Sequence, residues 1–146
     1  MAVTTTLSNH FRYMLATKKI DFTASGGDAF KIILMNTTFA FDKDADATLS
    51  DVTADQLGTD YGYTQDTKDC TVASITEDDT NDVARVVFSD VTWTASGGGA
   101  IGASGAAIIY DDTTSDDTVV CCIDFGADGT AQDGFNFQIT DIVVDI

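Results

Sequence analysis

Short apolar runs alternate with clusters of Asp, Thr, Asn and Gly throughout residues 75–125. Four such runs, at 83–88, 91–94, 106–110 and 119–125, are rich in Val, Ile and aromatic residues. Apolar runs of this length, bounded by turn-forming residues, are typical of strands in antiparallel sheets. The pattern therefore predicts a domain built mainly from antiparallel β-strands.

The acidic residues indicate how these strands are connected. Of the 24 acidic residues 23 are Asp, and the chain has no proline. Asp is a poor helix and strand former, but its short side chain closes turns and caps helices. With 146 residues, the chain is long enough for one domain with its own core. We expect an antiparallel β-sandwich or flattened barrel of about seven or eight strands, with one or two short helices, including one near the N-terminus.

Alternation within the runs indicates which side chains are buried, because successive residues of a strand face opposite sides. Residues 30–35 are apolar at almost every position, which predicts a central strand covered on both faces. Near the C-terminus the alternation changes phase at residues 140–141, which we interpret as a β-bulge. The predicted core residues are Ile32, Leu34, Val86, Phe88, Trp93, Ile108, Ile123, Phe125 and Phe137.

The N-terminal segment differs from the rest of the chain in charge. Residues 1–31 carry four basic and two acidic residues, a net charge of +2. Residues 32–146 carry three basic and 22 acidic residues, a net charge of −19. Such an acidic body repels nucleic acid and anionic membranes, so we expect neither as a partner. The basic segment is suited to an acidic partner, although a short solvated helix explains its charge equally well.

The same segment has a helical pattern. We predict a loose arm at residues 1–6 and a helix at 8–18, whose N-terminus is capped by Ser8 or Asn9. The chain then divides into an N-terminal arm and helix, residues 1–19, that contacts a neighbouring molecule, and a single β-domain, residues 20–146.

Three alternate carboxylates invite a calcium interpretation. Asp42, Asp44 and Asp46 have the spacing that begins an EF-hand loop, but that loop needs Gly at its sixth position and Glu at its twelfth. Ala47 and Thr53 occupy those positions, so the EF-hand match fails. A looser cation site remains one interpretation, and a solvated acidic loop is the other.

A glycine-rich stretch and two tyrosines are further candidates. Residues 96–105 contain five glycines, but no lysine follows Lys68, so the stretch lacks the lysine of a phosphate-binding loop. We predict a flexible loop that becomes ordered against a neighbouring molecule. Tyr61 and Tyr63 flank a glycine and are expected to pack at the end of a sheet, with a ligand-binding shelf as the alternative.

The residues needed for catalysis are few. His10 is the only histidine, and no nucleophile or acid lies near it in the sequence, so we expect an exposed or capping role. Cys70, Cys121 and Cys122 have no zinc-site spacing, and we expect free thiols rather than a disulfide. Cys121 and Cys122 should face opposite sides of a strand, one of them buried and the other exposed or in an interface. We find no signal peptide and no apolar stretch long enough to span a bilayer, and we expect neither an enzyme nor a bound cofactor.

Eight short blocks of sequence follow one another along nearly the whole chain. They lie at residues 9–21, 30–36, 49–52, 62–64, 77–82, 90–94, 107–111 and 123–126. Each block is a weak signal alone, but together they resemble a family of small virion structural proteins of tailed bacteriophages. The long glycine stretch and the Cys121-Cys122 pair depart from the family pattern.

The resemblance implies a non-enzymatic protein that decorates or cements the capsid. Its expected partners are the major capsid protein and further copies of itself, for example in a trimer. Its expected location is the capsid surface of a virion that is assembled in the host cytoplasm. A tail or fibre protein and a free calcium- or carbohydrate-binding β-module are the alternatives. The expected interface residues are Phe11, Arg12, Met14, Lys18, Lys19, Gly97, Gly98, Gly99 and Ile101.

Overall fold

The computed structural model describes residues 4–146 and confirms a mainly β fold. The described range contains nine strands, more than the seven or eight predicted, and two short α-helices. In chain order the elements are β1 (Thr4–Leu7), α1 (Asn9–Ala16), β2 (Phe30–Met35), α2 (Leu49–Val52), a 3₁₀ turn (Thr53–Asp55), β3 (Val72–Asp78), β4 (Val83–Phe88), β5 (Val91–Thr94), β6 (Ile101–Asp111), β7 (Val119–Ala131), β8 (Asn136–Ile139) and β9 (Val143–Asp145).

The strands form three antiparallel sheets. A four-stranded sheet has the order β1-β7-β6-β2, a three-stranded sheet the order β3-β4-β9, and β5 pairs with β8. The arrangement is sandwich-like rather than a closed barrel. The larger of two hydrophobic clusters joins one face of the four-stranded sheet to both smaller sheets.

Strand β2 shows how the four-stranded sheet is covered on both faces. Phe30, Ile32 and Leu34 belong to the larger cluster, whereas Ile33 and Met35 belong to a second cluster on the opposite face. Coverage on both faces was predicted correctly, but β2 lies at the edge of its sheet rather than in the centre. Single bridges from Lys31 to Asp69 and from Met35 to Gln56 cover that edge in place of another strand.

The large cluster contains two groups of aromatic rings at opposite ends of β2. Phe22 stacks on Phe30 with ring centroids 4.9 Å apart, and Phe11 and Phe88 contact Phe22 edge-on. At the other end Trp93 contacts Tyr63, whose hydroxyl accepts a hydrogen bond from the Leu34 amide, and Phe137. All nine predicted core residues are buried, although Ile108 lies in the second cluster.

The N-terminal segment is part of the sheet. Thr4 pairs with Asp124 and Leu7 with Cys121, so the prediction of a loose arm is wrong for residues 4–6. Residues 1–3 lie outside the described range. Ser8 caps α1 as predicted, and the helix is shorter than the predicted 8–18 because Lys18 adopts a φ of 58° that ends it. Residues 4–19 therefore make backbone hydrogen bonds to the domain 20–146.

Strands β6 and β7 extend into stretches that were predicted as loops. Ser104 pairs with Gly129 although both lie in glycine-rich sequence, so only residues 96–100 of the predicted glycine loop precede the strand. Glycine suits this position because a Cβ at Gly129 would lie only 3.2 Å from the Phe137 ring. Strand β7 likewise continues past the apolar run 119–125, through Gly126 and Gly129, as far as Ala131.

Thr48 is the N-cap of α2, and its backbone amide donates a 2.9 Å hydrogen bond to the Asp51 carboxylate. The predicted bulge at 140–141 needs correction, because the change of phase there is a turn between two sheets, with Asp141 at a φ of 55°. After that turn the C-terminus is fixed to the sheet by two reciprocal 3.0 Å backbone hydrogen bonds between Ala84 and Ile146.

Candidate interaction surfaces

His10 has a structural partner that sequence spacing did not reveal. Its Nε2 lies 2.9 Å from Asp116 Oδ2, and its ring stacks on Tyr13. Asp116 also accepts a 2.6 Å hydrogen bond from the Thr118 hydroxyl. The pair joins α1 to the turn between β6 and β7, and the partners are 106 residues apart in sequence. This contact positions the helix.

All three thiols are free and buried. Cys121 and Cys122 face opposite sides of β7 as predicted, but each enters one of the two hydrophobic clusters. The prediction that one of them is exposed or in an interface is therefore wrong, since Cys122 is only 5% exposed. Burial raises the pKa of Cys70 and of Cys122 to about 12 and raises the pKa of Cys121 well above its ordinary value. Protonated, inaccessible thiols are poor nucleophiles and poor metal ligands.

The acidic loop uses its carboxylates to close its own turn. Asp42 Oδ1 accepts hydrogen bonds from the amides of Asp44 and Ala45, and Asp46 Oδ2 accepts one from the Asp42 amide. Asp44 contacts the side-chain amide of Asn9, which holds the loop against α1. Within residues 4–146, no group of three or more His, Cys, Asp or Glu side chains is arranged to hold a metal ion. The three predicted candidates thus do not form a common cation site.

A buried pair of carboxyl groups was not predicted. Asp111 ends β6 opposite Phe30 and is fully buried, and its Oδ1 accepts hydrogen bonds from the amides of Thr113 and Thr114. The Asp28 carboxyl lies beside it and accepts a 2.7 Å hydrogen bond from the Asp21 amide. Burial, together with the neighbouring Asp28 carboxyl, raises the pKa of Asp111 to about 7. At neutral pH the Asp111 carboxyl is therefore protonated in part of the molecules.

The exposed side of α1 forms a surface that we call the helix face: Arg12, Tyr13, Met14, Lys18 and Lys19. Tyr13 is 64% exposed, and Met14 and Lys19 line a groove of about 470 Å³ between the helix and the turn that follows β6. Phe11, also predicted to contact a partner, is fully buried, because it faces the aromatic core. Of the helix residues predicted to contact a partner, those on its outer side are therefore available for contact, and Phe11 on its inner side is not.

The basic side chains of the helix face differ from the other basic side chains of this protein in the contacts they make. Lys31 pairs with Asp112, Arg85 pairs with Asp78 and Asp145, and Lys68 donates to the Thr92 carbonyl beneath the Trp93 ring. In the described part of the chain, four basic residues make neither an ion pair nor a side-chain hydrogen bond. They are Arg12, Lys18, Lys19 and Lys43, and all four lie on α1, just after it or in the loop that contacts its first residue.

A second exposed surface surrounds the glycine loop, and we call it the loop face: Tyr61, Gly97, Gly98, Gly99 and Phe135. Tyr61 is 41% and Phe135 69% exposed. Glycine is required at position 99 because a Cβ there would overlap the Tyr61 ring. The Gly98 amide donates a 3.1 Å hydrogen bond to Asp133, which fixes the loop. Ile101 was predicted in this interface but is buried at the start of β6.

The tyrosine shelf does not form. Tyr63 is buried as expected for a packing residue, and its hydroxyl accepts a hydrogen bond from the Gln56 side chain. Trp93 is buried beside it. Only Tyr61 of this aromatic group remains accessible, so a flat stacking platform for a sugar is not present at this end of the described domain.

A further groove was not predicted from the sequence. It has a volume of about 540 Å³ and lies between the loop after β2 and the strands β6 and β7. Half-buried Phe39 and Phe41 line one side, and Asp124 and Asp128 line the other. The sequence pattern that could have predicted this groove is the pair of phenylalanines at alternate positions, since an extended segment places both on one side.

A search for membrane-spanning helices and comparisons with known proteins do not assign a function to these surfaces. In the range 4–146, no helix is both long and apolar enough to cross a membrane. Comparisons with protein-family models, with curated proteins and with solved structures found no match.

Proposed function

We propose that the protein is a non-enzymatic structural component of a tailed-phage virion that binds the lattice of the major capsid protein and stabilises the head. The observation that carries this proposal is the contrast between interior and surface. The histidine, the thiols and the acidic loop of the described chain contribute to the fold, whereas exposed aromatic side chains lie on two faces and exposed basic side chains on the helix face. The sequence resemblance to phage virion proteins supports the same function.

The mechanism is the addition of contact area across the seams between capsid subunits. A domain covered on both sides of its main sheet transmits load without rearranging, because close-packed interiors have low compressibility. Weak single contacts become effective when several copies bind together, since linked binding events raise the effective concentration. The protein is thus expected at the capsid surface, in contact with the major capsid protein and with further copies of itself, after assembly in the host cytoplasm.

The proposal is tested by adding the purified protein to capsids that lack it. We expect saturable binding in cosedimentation, and density at sites that follow icosahedral symmetry in a reconstruction. Removal of residues 1–19 is unsuitable as a test, because it deletes β1 and the buried Phe11. The suitable variant reverses exposed charges, Arg12→Glu with Lys19→Glu, and should weaken occupancy. Lys43→Glu, at an exposed basic residue outside the helix face, is its control.

Other outcomes would replace this function. A few copies, or a helical arrangement of copies, would place the protein in the tail or its fibres. No binding to any part of the particle would remove the virion assignment altogether. A free calcium- or carbohydrate-binding module is not favoured by the described residues, since the acidic loop closes on itself and Tyr63 and Trp93 are buried.

A further inference from the structure

The exposed aromatic side chains are concentrated on the two faces. Large apolar side chains with more than a third of their surface exposed are Tyr13, Tyr61, Ile75, Phe135 and Ile146. Three of these five belong to the helix face or the loop face. Tyrosine, phenylalanine, methionine and arginine are enriched in protein interfaces, where a few aromatic anchors carry much of the binding energy. Both faces therefore have the composition of a binding surface.

The two faces lie at opposite ends of the four-stranded sheet. Phe11, on the inner side of α1, contacts the rings around Phe30 at the first end of β2. Tyr61 lies beside Tyr63, which contacts Leu34 near the other end of the strand. At about 3.3 Å per residue, the six residues of β2 separate these ends by roughly 16 Å. One molecule cannot bring its two faces together, but two molecules can.

The charges of the faces are complementary. On the helix face, Arg12, Lys18 and Lys19 are exposed and make no ion pair with a described carboxylate. Beside the loop face, Asp60 and Asp133 are exposed and form no ion pair with a described basic residue. Basic side chains over exposed aromatic rings add cation–π attraction. Each face thus offers the charge that the other lacks.

We infer that the helix face of one copy binds the loop face of a second copy. This inference deepens the self-association included in the proposed function. A contact between two different surfaces is head-to-tail, so each copy retains one unused face, and repetition closes into a ring when the rotation permits. The chain itself carries both halves of the contact, which is the reason for choosing a second copy over another acidic partner.

The inference is tested with two variants that each block one face. Arg12→Glu with Lys19→Glu reverses the charge of the helix face, and Phe135→Arg places a positive charge on the loop face. All three side chains are exposed, so circular dichroism and thermal melting should match the wild type. Lys43→Glu and Ile75→Arg are the matched controls, because both side chains are exposed outside the two faces.

Sedimentation velocity over a range of concentrations measures the association. We expect the wild type and both controls to associate, and each blocked variant to associate at least tenfold more weakly. Mixing the two blocked variants in equal amounts should restore association, because one intact helix face and one intact loop face are then present. A contact between identical surfaces would not be restored by mixing. A monomeric wild type, or blocked variants that associate normally, would overturn the inference, while capsid binding by a monomer would leave the proposed function standing.

Discussion

Replacing Asp111 by Asn should stabilise the fold at alkaline pH. The substitution keeps the shape of the side chain, and the amide oxygen can still accept hydrogen bonds from the Thr113 and Thr114 amides. The amide nitrogen can donate to the neighbouring Asp28 carboxyl group. The change therefore removes a buried ionisable group without opening the turn.

The sign follows from the direction of the pKa change. Burial and the Asp28 carboxyl raise the pKa of Asp111 from 3.8 to about 7, so the folded state holds this proton more tightly than the unfolded state. The stability that comes from this protonation is fully present below pH 3.8 and is lost as pH rises towards about 7. At about 1.4 kcal/mol per pH unit, that interval sets an upper limit of about 4 kcal/mol on the loss.

The expected advantage of Asp111→Asn is small near pH 4.5 and rises to between about 1 and 4 kcal/mol at pH 8, because the wild type then carries a buried charge. For a domain of this size, each kcal/mol corresponds to about 2–4 °C in Tm. Urea denaturation of both proteins at several pH values measures the difference. The pKa values of Asp116, Asp117 and Lys31 near the turn are also shifted, but these groups are present in both proteins, so their effects largely cancel.

Asp79→Asn is the control, because it removes one exposed carboxylate and changes the net charge by the same amount. Its difference from the wild type should vary little with pH. An Asp111→Asn variant that is less stable than the wild type at pH 8, or whose advantage is the same at pH 4.5 and pH 8, would contradict the interpretation that burial raises the pKa of Asp111.

Three further predictions concern stability and reactivity. Trp93→Ala should lower the free energy of unfolding by about 3–5 kcal/mol, since it leaves a cavity between Tyr63 and Phe137; Phe135→Ala, at an exposed ring, should change it by less than about 0.5 kcal/mol. Removal of residues 1–7 should lower the Tm and expose the neighbouring edge of β7 to hydrogen exchange, because β1 is lost. The three thiols should not react with an aromatic disulfide reagent at pH 8 until urea unfolds the chain, because burial raises their pKa values.

Each of these has an outcome that would contradict it. A Trp93→Ala variant no less stable than Phe135→Ala would mean that the indole is not part of the core. Unchanged exchange in β7 after the N-terminal deletion would show that β1 is dispensable. Rapid modification of even one thiol in the folded protein would place that cysteine at an accessible surface.

The core was predictable because alternation within a strand is a local property. Val86 and Phe88, two residues apart, identified a buried face without knowledge of any partner strand. The ends of strands were not predictable where the pairing partner is distant. Residues 4–7 contain three threonines and one leucine, and only the register with β7 makes them a strand. Glycines suggested a loop as far as Gly105, although β7 provides a partner for residues 101–105.

The candidate surfaces were predicted only in part. Charge identified Arg12 and Lys19, because an excess of basic residues is visible without a fold. The exposed Phe135 and the raised pKa of Asp111 depend on contacts between distant segments. A helix also has an inner side, and the sequence pattern alone did not separate Phe11 from the residues that face solvent.

The pairing of β1 with β7 has a consequence for synthesis of the chain. Thr4 cannot pair with Asp124 before Asp124 has been synthesised. Because ribosomes add about 5–20 residues per second, roughly 6 to 24 s separate the synthesis of these two residues. During that interval the apolar residues of β2 also lack β6, their later partner. The dense Asp residues between the two strands give the incomplete chain a large negative charge, and like charges on neighbouring nascent chains repel. The acidic composition thus protects the chain at the stage when its main sheet cannot yet form.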